Sequence, residues 1–215
     1  MFRQFRKIEY GEQIVIGGDC SQGGADHNVA QFFSKNHLDV PIVYDSRGVA
    51  AVMTPEIFKM AELLYDTTGI QPVIGFERQM GGSSEMERLR VLNTKGKYIL
   101  FVMPTIGNIT DDKTKKLGWD TNEASRSVLT GDLKNIIDVH GITVYDEITI
   151  QELFWFILNK SGKPEAMRGK HDDHVMSLGV GWQICKRVDL PSSIEIEAPE
   201  WASDVPDWVG KVGHA

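Results

Sequence analysis

Short apolar runs dominate the first part of the chain. Gln13 to Asp19 (QIVIGGD) reads as a buried strand ending in an acid. Cys20 to His27 is a glycine-rich turn, Asn28 to Ser34 a returning strand and Val40 to Asp45 a third, so an antiparallel meander is predicted. The period then changes. Thr54-Pro55 has the form of an N-cap with proline at the first helical position, Ile57, Met60, Ala61 and Leu64 keep helical spacing, and Gly69 stops the helix. Pro72 to Glu77 is a second short buried strand ending in an acid. A Ser-capped helix over 84–94 follows, then a strand over 98–103 and a helix over 121–139. Thr143 to Tyr145 fits a short strand, 150–158 a helix, a strand or both, and Asn159 to Lys163 a hairpin turn. The very apolar run Val175 to Cys185 closes the pattern as a helix. The order predicts an α/β fold: a mixed central sheet, antiparallel meander plus parallel strands, with helices on both faces.

Domain organisation follows from the same pattern. Residues 1–12 are mixed basic and aromatic and read as a lead-in, 13–188 as one domain, and 189–215 as an acidic, extended tail. The net charge of −7 is uneven. From Asp189 onward six acids face only Lys211, leaving −2 on the body, which can still hold a basic groove. The tail's Trp201 and Trp208, set among prolines and acids, suit a docking segment. Cys20 and Cys185 are too few for a disulfide framework, there is no apolar run of membrane-spanning length, and the N-terminus lacks a signal-peptide core, which together favour an intracellular protein.

The candidate chemistry sits in the acids. His171-Asp172-Asp173-His174 places two adjacent carboxylates at the mouth of an apolar helix, where they repel each other and resist desolvation. A hard divalent cation relieves both costs. Asp19 and Glu77 end buried strands, and Asp26 follows the glycines of the first turn. If these converge, they supply the oxygen ligands of a two-metal phosphodiesterase, in which one ion activates water and the other stabilises the leaving 3′-oxygen. Each acid alone has a plainer reading: a turn former at Asp19, a loop residue at Asp26, an ion pair with Arg78 at Glu77, an N-cap at Asp172 and a helix-dipole partner at Asp173. His171 fits an orienting or proton-shuttling group. Zinc would need more imidazole or thiolate ligands than lie nearby. Lys113, Lys115, Lys116 and Arg78 are candidates for DNA phosphate contacts, and Trp119 for a core or loop anchor.

Four stretches together resemble the nuclease domain of tailed-phage terminase large subunits: GGDCSQGGADHNVA, VIGFERQMGG, LGWDTNEASRSVLTGDL and GKHDDHVMSLGVGWQI. The resemblance implies an RNase H-like fold and an endonuclease that cuts viral DNA concatemers during genome packaging in the host cytoplasm. Two Mg²⁺ or Mn²⁺ ions are implied as cofactors. The acidic triad falls on Asp19, Glu77 and one of Asp172 and Asp173, with Asp26 as the extra acid of the first hairpin. Implied partners are double-stranded DNA, an upstream ATPase motor, the portal and the small terminase subunit, with no membrane. No GxxxxGK[ST] phosphate loop is present, so the motor itself is not carried by these residues. A junction resolvase is the nearest alternative. An actin-like ATPase would need a second phosphate loop that the sequence lacks, and a non-catalytic module would use the acids only as caps.

Overall fold

A computed structural model describes residues 1–103 and 116–190; the expected tail beyond Leu190 and the residues 104–115 lie outside it. The meander forms from β2 (Ile14–Asp19), β3 (Gln22–Ser34) and β4 (Asp39–Val49), paired antiparallel. β5 (Val73–Phe76) and β6 (Ile99–Leu100) add parallel to β2 on its other side. With β1 (Phe2–Gln4) on the far edge, strand order is β1-β4-β3-β2-β5-β6, and β7 (Thr143–Val144) also lies on β4. The mixed sheet is the one expected.

Both faces are covered, which is why strand residues of both parities are apolar. Ile14, Ile16, Phe32 and Ile42 face α1 (Met53–Thr68) and α2 (Gly82–Leu92). Val15, Phe33, Val43 and Val73 face α3 (Glu123–Asp138) and α5 (Asp173–Cys185). α4 (Glu147–Trp155) leads into β8 (Phe156–Leu158), so the ambiguous segment is both helix and strand, and β8 pairs with β9 (Pro164–Ala166) around the expected turn.

Several expectations are corrected. Residues 1–12 are not a lead-in: Phe2–Gln4 forms β1 on the edge of β4, because the Phe2 ring packs at 4.9 Å from Tyr44 and Arg3 and Arg6 find buried acids. The glycine-rich stretch is already strand. β3 runs through Gly23 and Gly24 at positive φ, and its register against β4 shifts there, a bulge that residues without Cβ tolerate. Thr54 is not an N-cap. The chain enters α1 through a 3₁₀ turn, Ala50–Val52, and the Thr54 hydroxyl donates to Glu85 of α2. α2 starts at Gly82 behind Gly81 (φ 97°), with no serine cap.

α5 lies almost backbone to backbone on β2. A Cβ on Gly17 would stand 2.2 Å from the Gly181 nitrogen, so only glycine permits the approach. Ser177 Oγ donates to the Gly17 carbonyl at 3.0 Å and sets how far the helix slides along the strand.

Candidate metal centre

Gly18 pairs with Phe76 across parallel β2 and β5, and the Glu77 N–H donates to the Gly18 carbonyl at 2.7 Å. Asp19 and Glu77 therefore leave neighbouring strands at the same end of the sheet. Glu77 is pinned on its other side by Trp119: Trp119 N–H donates to Phe76 O and Arg78 N–H to Trp119 O, both at 2.8 Å. Gly118 makes this possible, since at φ 83° its missing Cβ would lie 2.4 Å from the Phe76 carbonyl oxygen. Trp119 itself is core.

The position of α5 on β2 brings its N-terminus to that end. Asp173 Oδ2 accepts the His27 N–H of β3 at 3.0 Å. Asp172 Oδ2 accepts Arg126 Nη2 of α3 at 2.7 Å. Asp26, Asp173 and His171 present ligand atoms within 4.8 Å of one another, with His171 Nδ1 3.6 Å from Asp26 and 3.8 Å from Asp173.

Burial and the neighbouring Glu77, Asp173 and Asp172 carboxylates hold Asp19 well above the ordinary aspartate range. Burial raises Glu77, Asp172 adds to that, and the Arg126 charge opposes it. Asp173 is raised by burial, with Glu152 and Asp26 adding, against the pull of the His27 N–H. A hard divalent cation supplies the positive charge that this oxygen-rich donor set lacks, so these residues fit the expected ions.

The plainer readings fail at two acids. Asp172 occupies the N-cap position of α5 but its side chain caps nothing. Glu152 of α4 does that work, accepting the N–H groups of His174 (2.8 Å) and Val175 (3.4 Å) and meeting His174 Nδ1 at 2.9 Å. Neither aspartate at the helix mouth therefore caps its own helix; Asp172 meets Arg126 and Asp173 the His27 N–H. Among the described residues Glu77 forms no ion pair with Arg78, which lies 3.8 Å from Asp120. Behind Glu152 the network continues: His174 Nε2 meets Arg3 at 3.3 Å, and Asp45 holds His27 Nδ1 at 2.6 Å.

Sequence reasoning missed Arg126, Glu152, His27 and Asp45. For Glu152 the one signal is an acid inside an apolar stretch; for Arg126, its place in the GWDTNEASR motif. Among the phosphate-contact candidates, Lys116 is paired with Asp120 at 3.4 Å, and Arg78 Nε and Nη1 are buried without a hydrogen-bond partner among the described residues. Lys113 and Lys115 lie outside the described residues.

The chain has the fold of solved terminase nuclease domains, a mixed sheet flanked by helices, and its acids gather where β2, β5 and α5 meet. It is similar to the large terminase nuclease of thermophilic phage G20c solved with bound cobalt, at 16% identity and TM-score 0.59, over 84% of this chain and 89% of that one. The P22 large terminase nuclease domain matches at 10% identity and TM-score 0.52, over 86% and 87%. The human cytomegalovirus terminase nuclease domain, manganese-soaked, matches at 9% and 0.53, over 84% and 91%. No family model and no curated protein matches the sequence.

Proposed function

We propose that the chain is a divalent-cation-dependent endonuclease that hydrolyses phosphodiester bonds of double-stranded viral DNA during genome packaging. The observation that carries this is the convergence of Asp19, Glu77, Asp172 and Asp173, from two parallel strands and one helix, with burial and like charge holding three of them above their ordinary range. Solved structures of similar fold hold cobalt, magnesium or zinc, or were soaked in manganese. In this reading the four carboxylates hold two Mg²⁺ or Mn²⁺ ions, with Asp26 at the edge. When bound, the ions lower the pKa of the attacking water and stabilise charge on the leaving 3′-oxygen.

The chain's own residues do the rest. The Glu77–Trp119 and Gly17–Gly181 contacts fix the carboxylates before substrate arrives. His171 Nδ1, beside Asp26 and Asp173, is placed to take a proton from incoming water. Arg78 and the Lys113–Lys116 segment are assigned to phosphates away from the cut. An upstream ATPase motor, the portal, the small terminase subunit and the host cytoplasm complete the proposed setting. Among the described residues, no helix is long and apolar enough to cross a membrane.

Plasmid cleavage tests the reading. Nicking and linearisation are expected with Mn²⁺ or Mg²⁺ and none in EDTA. Full activity in EDTA overturns the two-metal chemistry, and strong preference for four-way junctions over linear duplex points to a resolvase instead.

A further inference from the structure

Arg126 sits where two parts of the molecule meet. Its helix turn is anchored to the strand beside Glu77: Ser125 Oγ accepts the Asn122 N–H at 2.7 Å and donates to the Asp120 carbonyl at 2.8 Å, while Asn122 Oδ1 accepts the Ser125 N–H at 3.0 Å. The motif from Gly118 to Arg126 is thus a rigid bracket that registers the guanidinium against the acids. On one side Arg126 Nη2 touches Asp172 at 2.7 Å, and Nε reaches the Pro164 carbonyl at 3.4 Å. Nη1 makes no hydrogen bond among the described residues. On the other side Arg126 lines a cleft of about 630 Å³ between the start of α3 and the β8–β9 hairpin, shared with Gln79, Asn122, Ser161 and Lys163.

We propose that Arg126 is a catalytic residue that grips the scissile phosphate at the head of this cleft. The proposal rests on the nuclease reading above and deepens it. As mere support for Asp172 the pairing would be self-defeating, because a guanidinium on that carboxylate competes with the cation the carboxylate is there to hold. Once Asp172 serves a cation, the fork is free, and its geometry matches two phosphate oxygens. In the reaction the water oxygen bonds to phosphorus, the bond to the 3′-oxygen breaks, and the water's proton ends on that oxygen, giving a 5′-phosphate and a 3′-hydroxyl. Arg126 stabilises charge on the non-bridging oxygens throughout.

The test compares wild type, Arg126→Gln and Arg126→Lys in two assays: single-turnover cleavage of a linear duplex at saturating Mn²⁺, and calorimetric Mn²⁺ binding without DNA. Cleavage is expected to fall about 100-fold in Arg126→Gln and less in Arg126→Lys, while Mn²⁺ affinity stays the same or tightens. Wild-type cleavage by Arg126→Gln overturns the proposal. So does several-fold weaker Mn²⁺ binding with cleavage restored by excess Mn²⁺, which makes Arg126 a prop for Asp172. If Arg126→Gln fails to melt cooperatively, Arg126→Lys decides, and an undiminished rate overturns the proposal. A wild-type protein with no metal-dependent cleavage overturns the nuclease reading itself, and Arg126's role with it.

Discussion

At Asp19, burial and three neighbouring carboxylates all disfavour the charged form. The same features that suit it to a cation make it a source of instability without one. Asp19→Asn keeps the shape and removes the charge. It is expected to abolish cleavage and to raise metal-free stability, because burial and like charge no longer act on a carboxylate there. Activity assays paired with thermal melts in EDTA check both halves; retained cleavage removes Asp19 from the site. Asp26, whose side chain is 63% exposed, stands at the edge, and Asp26→Asn is expected to lose only part of the activity.

Among the elements, α5 decides whether the site exists. Its lateral position comes from Gly17 and Gly181, and its mouth is capped from outside by Glu152. A helix normally satisfies its first N–H groups with its own N-cap side chain. Here α4 supplies the acceptor, so neither Asp172 nor Asp173 is used to cap its own helix; they meet Arg126 and the His27 N–H instead. Glu152→Ala removes a buried acceptor of two N–H groups and the partner of His174, a loss expected at about 3 kcal/mol. Chemical denaturation measures it. Mn²⁺ affinity should fall with it, whereas Leu64→Ala, in the core on the other sheet face, should destabilise the fold and leave Mn²⁺ affinity unchanged. Equal Mn²⁺ affinity in both variants would remove Glu152 from the assembly of the site.

For the whole molecule, β1 ties the beginning of the chain to the start of α4. Arg3 meets Asp146 at 2.6 Å, and Asp146 accepts the Thr149 N–H at 2.9 Å at the start of α4. Burial works against the charged Asp146 carboxylate, but Arg3 and Thr149 overcome it and hold the carboxyl below the ordinary aspartate range. A depressed folded value means that this stabilisation is complete above the unfolded pKa, near 3.9, and drains away as pH falls through the folded one. Asp146→Asn is therefore expected to cost on the order of 2 kcal/mol at pH 7 and to flatten the loss of stability below about pH 4. Melts from pH 7 to pH 3 read both effects; an acid limb as steep as wild type would show that Asp146 does not set it.

What the sequence determined by itself was local. Apolar runs marked β2 and β5, and helical spacing marked α1, α3 and α5, because burial period is written residue by residue along an element. Asp19, Glu77, Asp172 and Asp173 stood out because each ends or opens such a run. Tertiary structure decided the contacts whose partners lie far apart in the chain. Arg126 reaches Asp172 across 46 residues and Glu152 caps α5 from 22 residues away, and neither pairing leaves a periodic trace. β1 was hidden for the same reason: three residues of mixed character become a strand only when β4 offers a free edge, Phe2 finds Tyr44 and Arg3 finds Asp146. The ordering of the site therefore rests on packing of α5 against the sheet, where Gly17 lacks the Cβ that would strike the α5 backbone and Gly181 the Cβ that would strike the Phe33 ring of β3.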